Sequence, residues 1–237
     1  FDDMARRRLA GVFLPRGYQG FDTWPVWRRS DVPRAVLLEA PDQGVGFPHL
    51  YLDQGSFLRL ALEHLTDNGR RRVAVAGTPG FFRVCKELLA EVLGEFGLEA
   101  PPYWQLHLDP FDAEGTANCV HLLLRLPQRP DGLLVTDDNL LDAVAAGVRA
   151  AGLSVPEHMH VASHGNFPLS NGCTVHAARF GFDIRGLLLQ AVAFLPRQAA
   201  PGQAEAEQES VKAVPAADAH RAVAGGMAKM EERVYAR

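Results

Sequence analysis

From residue 54 onward the apolar positions follow two rhythms in turn. Stretches with apolar residues three and four apart alternate with short, nearly continuous apolar runs. The first spacing places one stripe on a helix, and the second suits a strand buried on both faces. Residues 56–68 are expected to form a helix with Phe57, Leu60, Ala61, His64 and Leu65 on one side and Gly69 as its stop. Residues 71–77 (RRVAVAG) are then a strand. Residues 81–96 are a helix presenting Val84, Leu88, Leu89, Val92 and Leu93, closed by Gly97. Residues 103–108 are a strand, and 112–124 a helix with an acidic first turn. The run 133–135 is a strand, followed by a helix carrying Leu140, Leu141, Val144, Ala145 and Val148. Gly152 closes that helix and Pro156 bars its continuation. Residues 159–162 are the next strand. Repeated strand–helix units of this kind imply an α/β fold, a parallel sheet covered by helices on both faces.

The flanking regions are less regular. Residues 9–14, 33–38 and 49–53 read as strands separated by loops rich in Gly and Pro; the first loop, 16–32, carries Trp24 and Trp27. After the alternating region, 173–177 reads as a short strand and 182–194 as an amphipathic helix. Beyond Pro196, Ala, Gln, Glu, Pro and Gly dominate without core-forming periodicity. Residues 196–237 are therefore expected to be a disordered tail or linker, with a marginal helix over 223–235.

Two polar clusters interrupt this apolar pattern. The strand 133–135 stops at Thr136-Asp137-Asp138-Asn139, and the strand 159–162 runs into Ser163-His164-Gly165-Asn166. Ligands of open α/β sheets bind at the C-terminal strand ends, so these tips are the candidate site. The first cluster also suits a plain helix cap, with carboxylates at the positive end of the helix dipole.

Composition narrows the picture further. At 237 residues, 47% hydrophobic and 22% charged, the chain has ample core material. With a net charge of -4, nothing global argues for nucleic-acid binding. Three cysteines, with no CxxC pair, suit buried thiols in a reduced, cytoplasmic setting. No stretch is long and apolar enough to span a membrane. The histidines have no metal-ligand spacing, no GxSxG or HExxH motif occurs, and no cofactor motif is present, so no enzyme activity is expected.

Four motifs in order carry a family resemblance. They are Asp53 with Ala61, His64-Leu65, Gly69 and Arg71-Arg72-Val73-Ala74-Val75; the segment 131–138; the segment 152–161; and Thr174-Val175 with the helix that follows. Together they resemble the effector-binding domain of the lac-repressor (LacI/GalR) family of bacterial transcription regulators, and of their relatives, the periplasmic sugar-binding proteins. The resemblance covers residues 9–195. It implies a periplasmic-binding-protein-like fold of two lobes of parallel sheet flanked by helices, with an effector in the cleft between them. Residues 54–166 would be the complete C-terminal lobe, and 1–53 plus 173–195 a partial, incomplete N-terminal lobe. Such regulators carry a helix-turn-helix module before this domain; it is absent from this sequence, which is expected to be a fragment or a product truncated at its N-terminus.

The resemblance also implies roles. Asp137 and Asp138 fall where family members hold sugar hydroxyls, although Asp137 stands in for a neutral amide. His164, Gly165 and Asn166 fall at a tip where the family has an Asp that grips the sugar; here that position is Gly165, leaving Asn166 and His164 as the polar candidates. Arg83 falls where an effector-binding Arg is placed, and Phe111 is a candidate ring for stacking on a sugar face. The expected partners are a small-molecule effector, a carbohydrate, and a second copy of the chain, with DNA met only through the upstream module. The alternative function is a solute-binding protein of a transporter.

Overall fold

The computed structural model describes residues 11–15, 33–38, 49–169, 175–195 and 208–219. Residues 9–10, the loop 16–32 with Trp24 and Trp27, Cys173, Thr174 and the expected helix 223–235 lie outside them. The strands in chain order are β1 (Val12–Leu14), β2 (Arg34–Leu38), β3 (His49–Asp53), β4 (Val73–Gly77), β5 (Gln105–His107), β6 (Gly132–Val135), β7 (His160–Phe167), β8 (Ala178–Asp183), β9 (Gln208–Lys212) and β10 (Val214–Pro215). The helices are α1 (Gln54–Asp67), α2 (Pro79–Glu95), α3 (Ala113–Leu124), α4 (Leu141–Ala150) and α5 (Ile184–Phe194).

Two compact units result. One comprises residues 1–54 and 184–212, the other 55–183 and 213–237. In the first, β1-β2-β3-β9 form a parallel sheet. Ala35 and Leu50 pack with Ala191 of α5 on one face, and Val36 and Leu38 pack on the other. In the second, six strands run in the order β10-β8-β7-β6-β4-β5. All are parallel except β10, which pairs antiparallel with β8. Ala74, Ala76, Leu133, Val135 and Val161 face α3 and α4 and build a core with Val120, Leu124, Leu141, Val144 and Val148. The intervening residues of β4 and β6 face the other way. There α1 and α2 cover them, with Leu65 next to Gly132 and Phe82 next to Gly77.

The helix boundaries follow local chemistry. Thr78 caps α2 by accepting from the Phe81 N–H at 3.3 Å, with Pro79 opening the helix. Asp112 caps α3 by accepting from the Gly115 N–H at 2.8 Å. Gly69 and Gly152 end their helices at φ +74°, a conformation that residues with a Cβ rarely adopt.

Several expectations are corrected. The strand placed at 173–177 lies later, as β8, and Val175–Ala177 are not strand. Its sequence ARFGFD alternates, burying Phe180 and Phe182, so Phe182 is strand and α5 starts at Ile184. This strand pairs with β7 in the second unit rather than joining the first. The expected strand 103–108 shortens to β5, because Pro102–Trp104 form a 3₁₀ turn behind Pro101. Residues 208–219 are not a disordered tail: β9 pairs with β3 from His49↔Gln208 to Asp53↔Lys212, and β10 pairs with β8. Composition could not show this, since in Gln208–Lys212 only Val211 is apolar and the pairing is made by the backbone. Of the thiols, Cys85 is buried, but Cys119 is exposed on α3.

One titration follows from the packing. His64 on α1 lies 6.1 Å, ring centre to ring centre, from His160, the first residue of β7. It lies 5.6 Å from Phe180. Burial lowers both imidazoles below their ordinary 6.5; Asp67 opposes this at His64, while Arg70 and His64 reinforce it at His160. Each therefore favours the neutral ring in the folded state. Their contribution to stability is present above about pH 6.5 and is lost as pH falls through the lowered folded-state values. Chemical denaturation at stepped pH should show stability declining below that point, and His160→Gln should make the decline shallower. An unchanged slope in that variant would remove the pair from the account.

Candidate functional site

Strand order reverses between β4 and β6: β5 follows on one side, β7 and β8 on the other. At such a point the loops leaving adjacent strand ends diverge and open a crevice. On the β4 side, Gly77 and Thr78 lead into α2, and a Cβ at Gly77 would lie 2.5 Å from Thr136 Oγ1. Thr136 ties the two ends together, its N–H donating to the Ala76 carbonyl at 2.9 Å. Next to them His107, at the end of β5, stacks on Phe82 with ring centres 4.1 Å apart and planes 7° from parallel.

On the β6 side the chain turns at Asp137. Its Oδ1 accepts from Asn139 N–H at 3.0 Å and from Asn139 Nδ2 at 2.9 Å, capping the 3₁₀ turn Asp138–Leu140 that precedes α4. The capping role foreseen for this cluster is therefore filled by Asp137, which remains partly exposed.

Asp138 is different. β6 ends in register with Ser163, while β7 runs on to Phe167. Asp138 lies beside this free length of β7. Its Oδ1 accepts from Asn166 Nδ2 at 3.4 Å and faces His164 Nδ1 at 3.7 Å; its Oδ2 is 3.9 Å from an Arg179 Nη2 reaching over from β8. All three side chains are nearly buried, at 9% exposure for Asp138, 11% for His164 and 13% for Arg179. Burial pushes the Asp138 carboxyl up, but His164, then Asn166 and Arg179, outweigh it and hold the group below its ordinary 3.8. The His164 ring is itself fixed by Phe57, edge-on at 5.3 Å, and by Phe182 at 5.7 Å.

The structure thus brings Asp138, His164 and Asn166 together. Arg83, on the exposed side of α2, and Phe111, after β5, stand apart from this cluster. Phe111 is 96% exposed, its N–H donating to Asp109 Oδ1 at 2.9 Å. Arg179, Phe57 and Phe182 were missed as site residues. The strand period of ARFGFD was the available signal for Arg179. Among the described residues no group of three or more His, Cys, Asp or Glu could hold a metal, and no helix is long and apolar enough to cross a membrane. The cluster offers acceptors and donors in an almost dry setting, suited to hydrogen-bonding a small polar molecule.

Comparison with known proteins agrees with the motifs. Residues 62–217 match the family described as periplasmic binding protein-like domain. The HTH-type transcriptional repressor PurR of Glaesserella parasuis serovar 5 is 24% identical over 185 residues, covering 76% of this chain and 51% of that protein. The chain thus spans about half the length of this curated relative. Among solved structures, a putative LacI transcriptional regulator from Bacillus cereus subsp. cytotoxis is similar with a TM-score of 0.70 at 19% identity, over 90% of this chain and 77% of that one. A LacI family transcriptional regulator from Enterococcus faecium with bound ribose is similar at 0.67 and 17%, over 90% and 80%.

Proposed function

Because this chain belongs to the periplasmic binding protein-like family, we propose that it is the effector-binding part of a LacI-type transcription regulator, working as a homodimer and responding to a small carbohydrate. The observation that carries this reading is the cluster at the C-terminal sheet edge. Asp138, His164 and Asn166 meet there where β6 ends beside β7, one strand from the reversal of strand order, with Asp137 next to them in the chain. Carboxylates and an amide suit hydroxyl-rich ligands, because they accept and donate several directed hydrogen bonds at once. Arg83, a forked donor, and Phe111, an exposed ring, stand apart from this cluster and would have to meet the ligand from outside it. The bound ribose of the Enterococcus faecium regulator supports a sugar as the ligand class. Regulation would follow from linkage: an effector favouring one arrangement of the full-length dimer shifts its population, and with it DNA binding by the upstream module.

The test is a thermal-shift screen with a carbohydrate panel that includes ribose. At least one sugar should raise the melting temperature, and Asp137→Ala should remove that rise. A rise that survives both Asp137→Ala and Arg83→Ala would place the ligand elsewhere. Sedimentation of the chain should give a dimer mass; a monomer at all accessible concentrations would contradict the homodimer.

A further inference from the structure

Arg179 has no part in the functional reading above, and its position calls for one. Successive residues of a strand point to opposite faces. His164 and Asn166 therefore share one face of β7, and Ser163, Gly165 and Phe167 share the other. Arg179 pairs in register with Ser163, so it lies on the Gly165 face. It still reaches Asp138, which His164 and Asn166 approach from the opposite face. One carboxylate is thus held from both sides of the sheet, just where β6 has ended and left room beside β7.

The route depends on a bare backbone. A Cβ at Gly165 would lie 3.4 Å from Arg179 Nε and 3.1 and 3.2 Å from the Phe167 ring. The Phe167 ring is fully buried and cannot move aside. A methyl at 165 would crowd the Phe167 ring and come only into ordinary contact with Arg179 Nε, so the bare backbone leaves the guanidinium an open path to Asp138. Gly181, the register partner of Gly165, is equally bare and lets β8 come close.

We propose that Arg179 is a positioning residue of this site, crossing Gly165 to hold Asp138 in place from the face opposite His164 and Asn166. The role rests on the effector-binding reading only for its purpose. The clamp itself is a property of the ligand-free protein. It sets the orientation of Asp138 before any ligand arrives, and it assigns Asp138 to the framework, leaving Asp137 and Asn166 as the more available contacts. Among the described residues, His164 and Arg179 are the titratable or charged groups placed against Asp138 from neighbouring strands, with Asp137 beside it in the chain.

The experiment is a carboxyl NMR titration of Asp138 in the ligand-free protein. Arg179→Gln should move the Asp138 midpoint to higher pH. Arg179→Lys, which keeps the charge, should restore much of the parent value. Arg179→Met, which keeps the length of the side chain without its charge, should shift it in the same direction as Arg179→Gln. A loss of packing alone would not distinguish the Lys from the Gln variant, so rescue by Lys separates positioning from bulk. If Arg179→Gln and Arg179→Met leave the midpoint at its parent value, the proposal is overturned. If Arg179→Gln does not fold, Arg179→Met decides: an unshifted midpoint overturns the clamp, and a raised one supports it. Because no ligand is used, a negative sugar screen would count against the effector reading and leave this result standing.

Discussion

Gly181→Ala is expected to destabilise the 55–183 unit by about 3 kcal/mol, the upper end of what one extra methyl costs in a filled interior. The reason is geometric. A methyl at 181 would land on the carbonyl oxygen of Gly165 and lie 2.8 Å from its N and C atoms. These are backbone atoms of a central strand, and no rotamer change relieves them. β8 would have to withdraw from β7, giving up the register that runs from Ala162↔Ala178 to Phe167↔Asp183. The hold of Arg179 on Asp138 would go with it. Urea denaturation should show a clearly lower midpoint with a similar slope. A midpoint equal to that of the parent would mean that the two glycines are not in contact. Gly80→Ala is the control, since the nearest atom to a methyl there is 3.7 Å away.

Phe57→Ala should cost about 3–5 kcal/mol, the range for emptying a fully buried aromatic site. Phe57 is 0% exposed on α1, and its ring meets His164 edge-on at 5.3 Å. Removing it opens a cavity under the helix and takes away one of the two rings that fix the imidazole. Two readouts are expected to move together: the denaturation midpoint, and the size of any sugar-induced thermal shift in protein that remains folded. Phe57→Leu should recover part of the stability, because it refills part of the volume, but not the edge-on contact with His164. A large loss of stability with an unchanged ligand response would separate Phe57 from the site.

How much of this was legible in the chain differs between the fold and the site. The strands at 73–77 and 132–135 announced themselves as apolar runs, and α1 to α4 by their helical stripes; of β7 only the apolar start was legible, because the strand expected at 159–162 runs on through Ser163–Asn166 to Phe167. The helix stops at Gly69 and Gly152 were legible because only glycine is at ease at those backbone angles. The polar tip at Thr136–Asn139 was legible too, since an apolar run cannot continue through it without burying charge, whereas Ser163–Asn166 is strand and not a tip. β9 was not legible. A strand whose partner is 159 residues away in sequence, as Gln208 is from His49, needs no pattern of its own when the partner's edge supplies the hydrogen bonds.

Local chemistry along the chain was therefore enough to set the α/β class, the caps and stops, and the placing of polar residues at strand ends. Such features depend on neighbours one to four residues away, and spacing reports them directly. Tertiary structure alone decided which polar ends meet. Asp138 faces His164 and Asn166 because β6 is short and β7 is long, and it meets Arg179 because Gly165 and Gly181 let a third strand draw close. Strand length, register and close approach are relations between distant segments. They arise from pairing and packing, which no local spacing encodes.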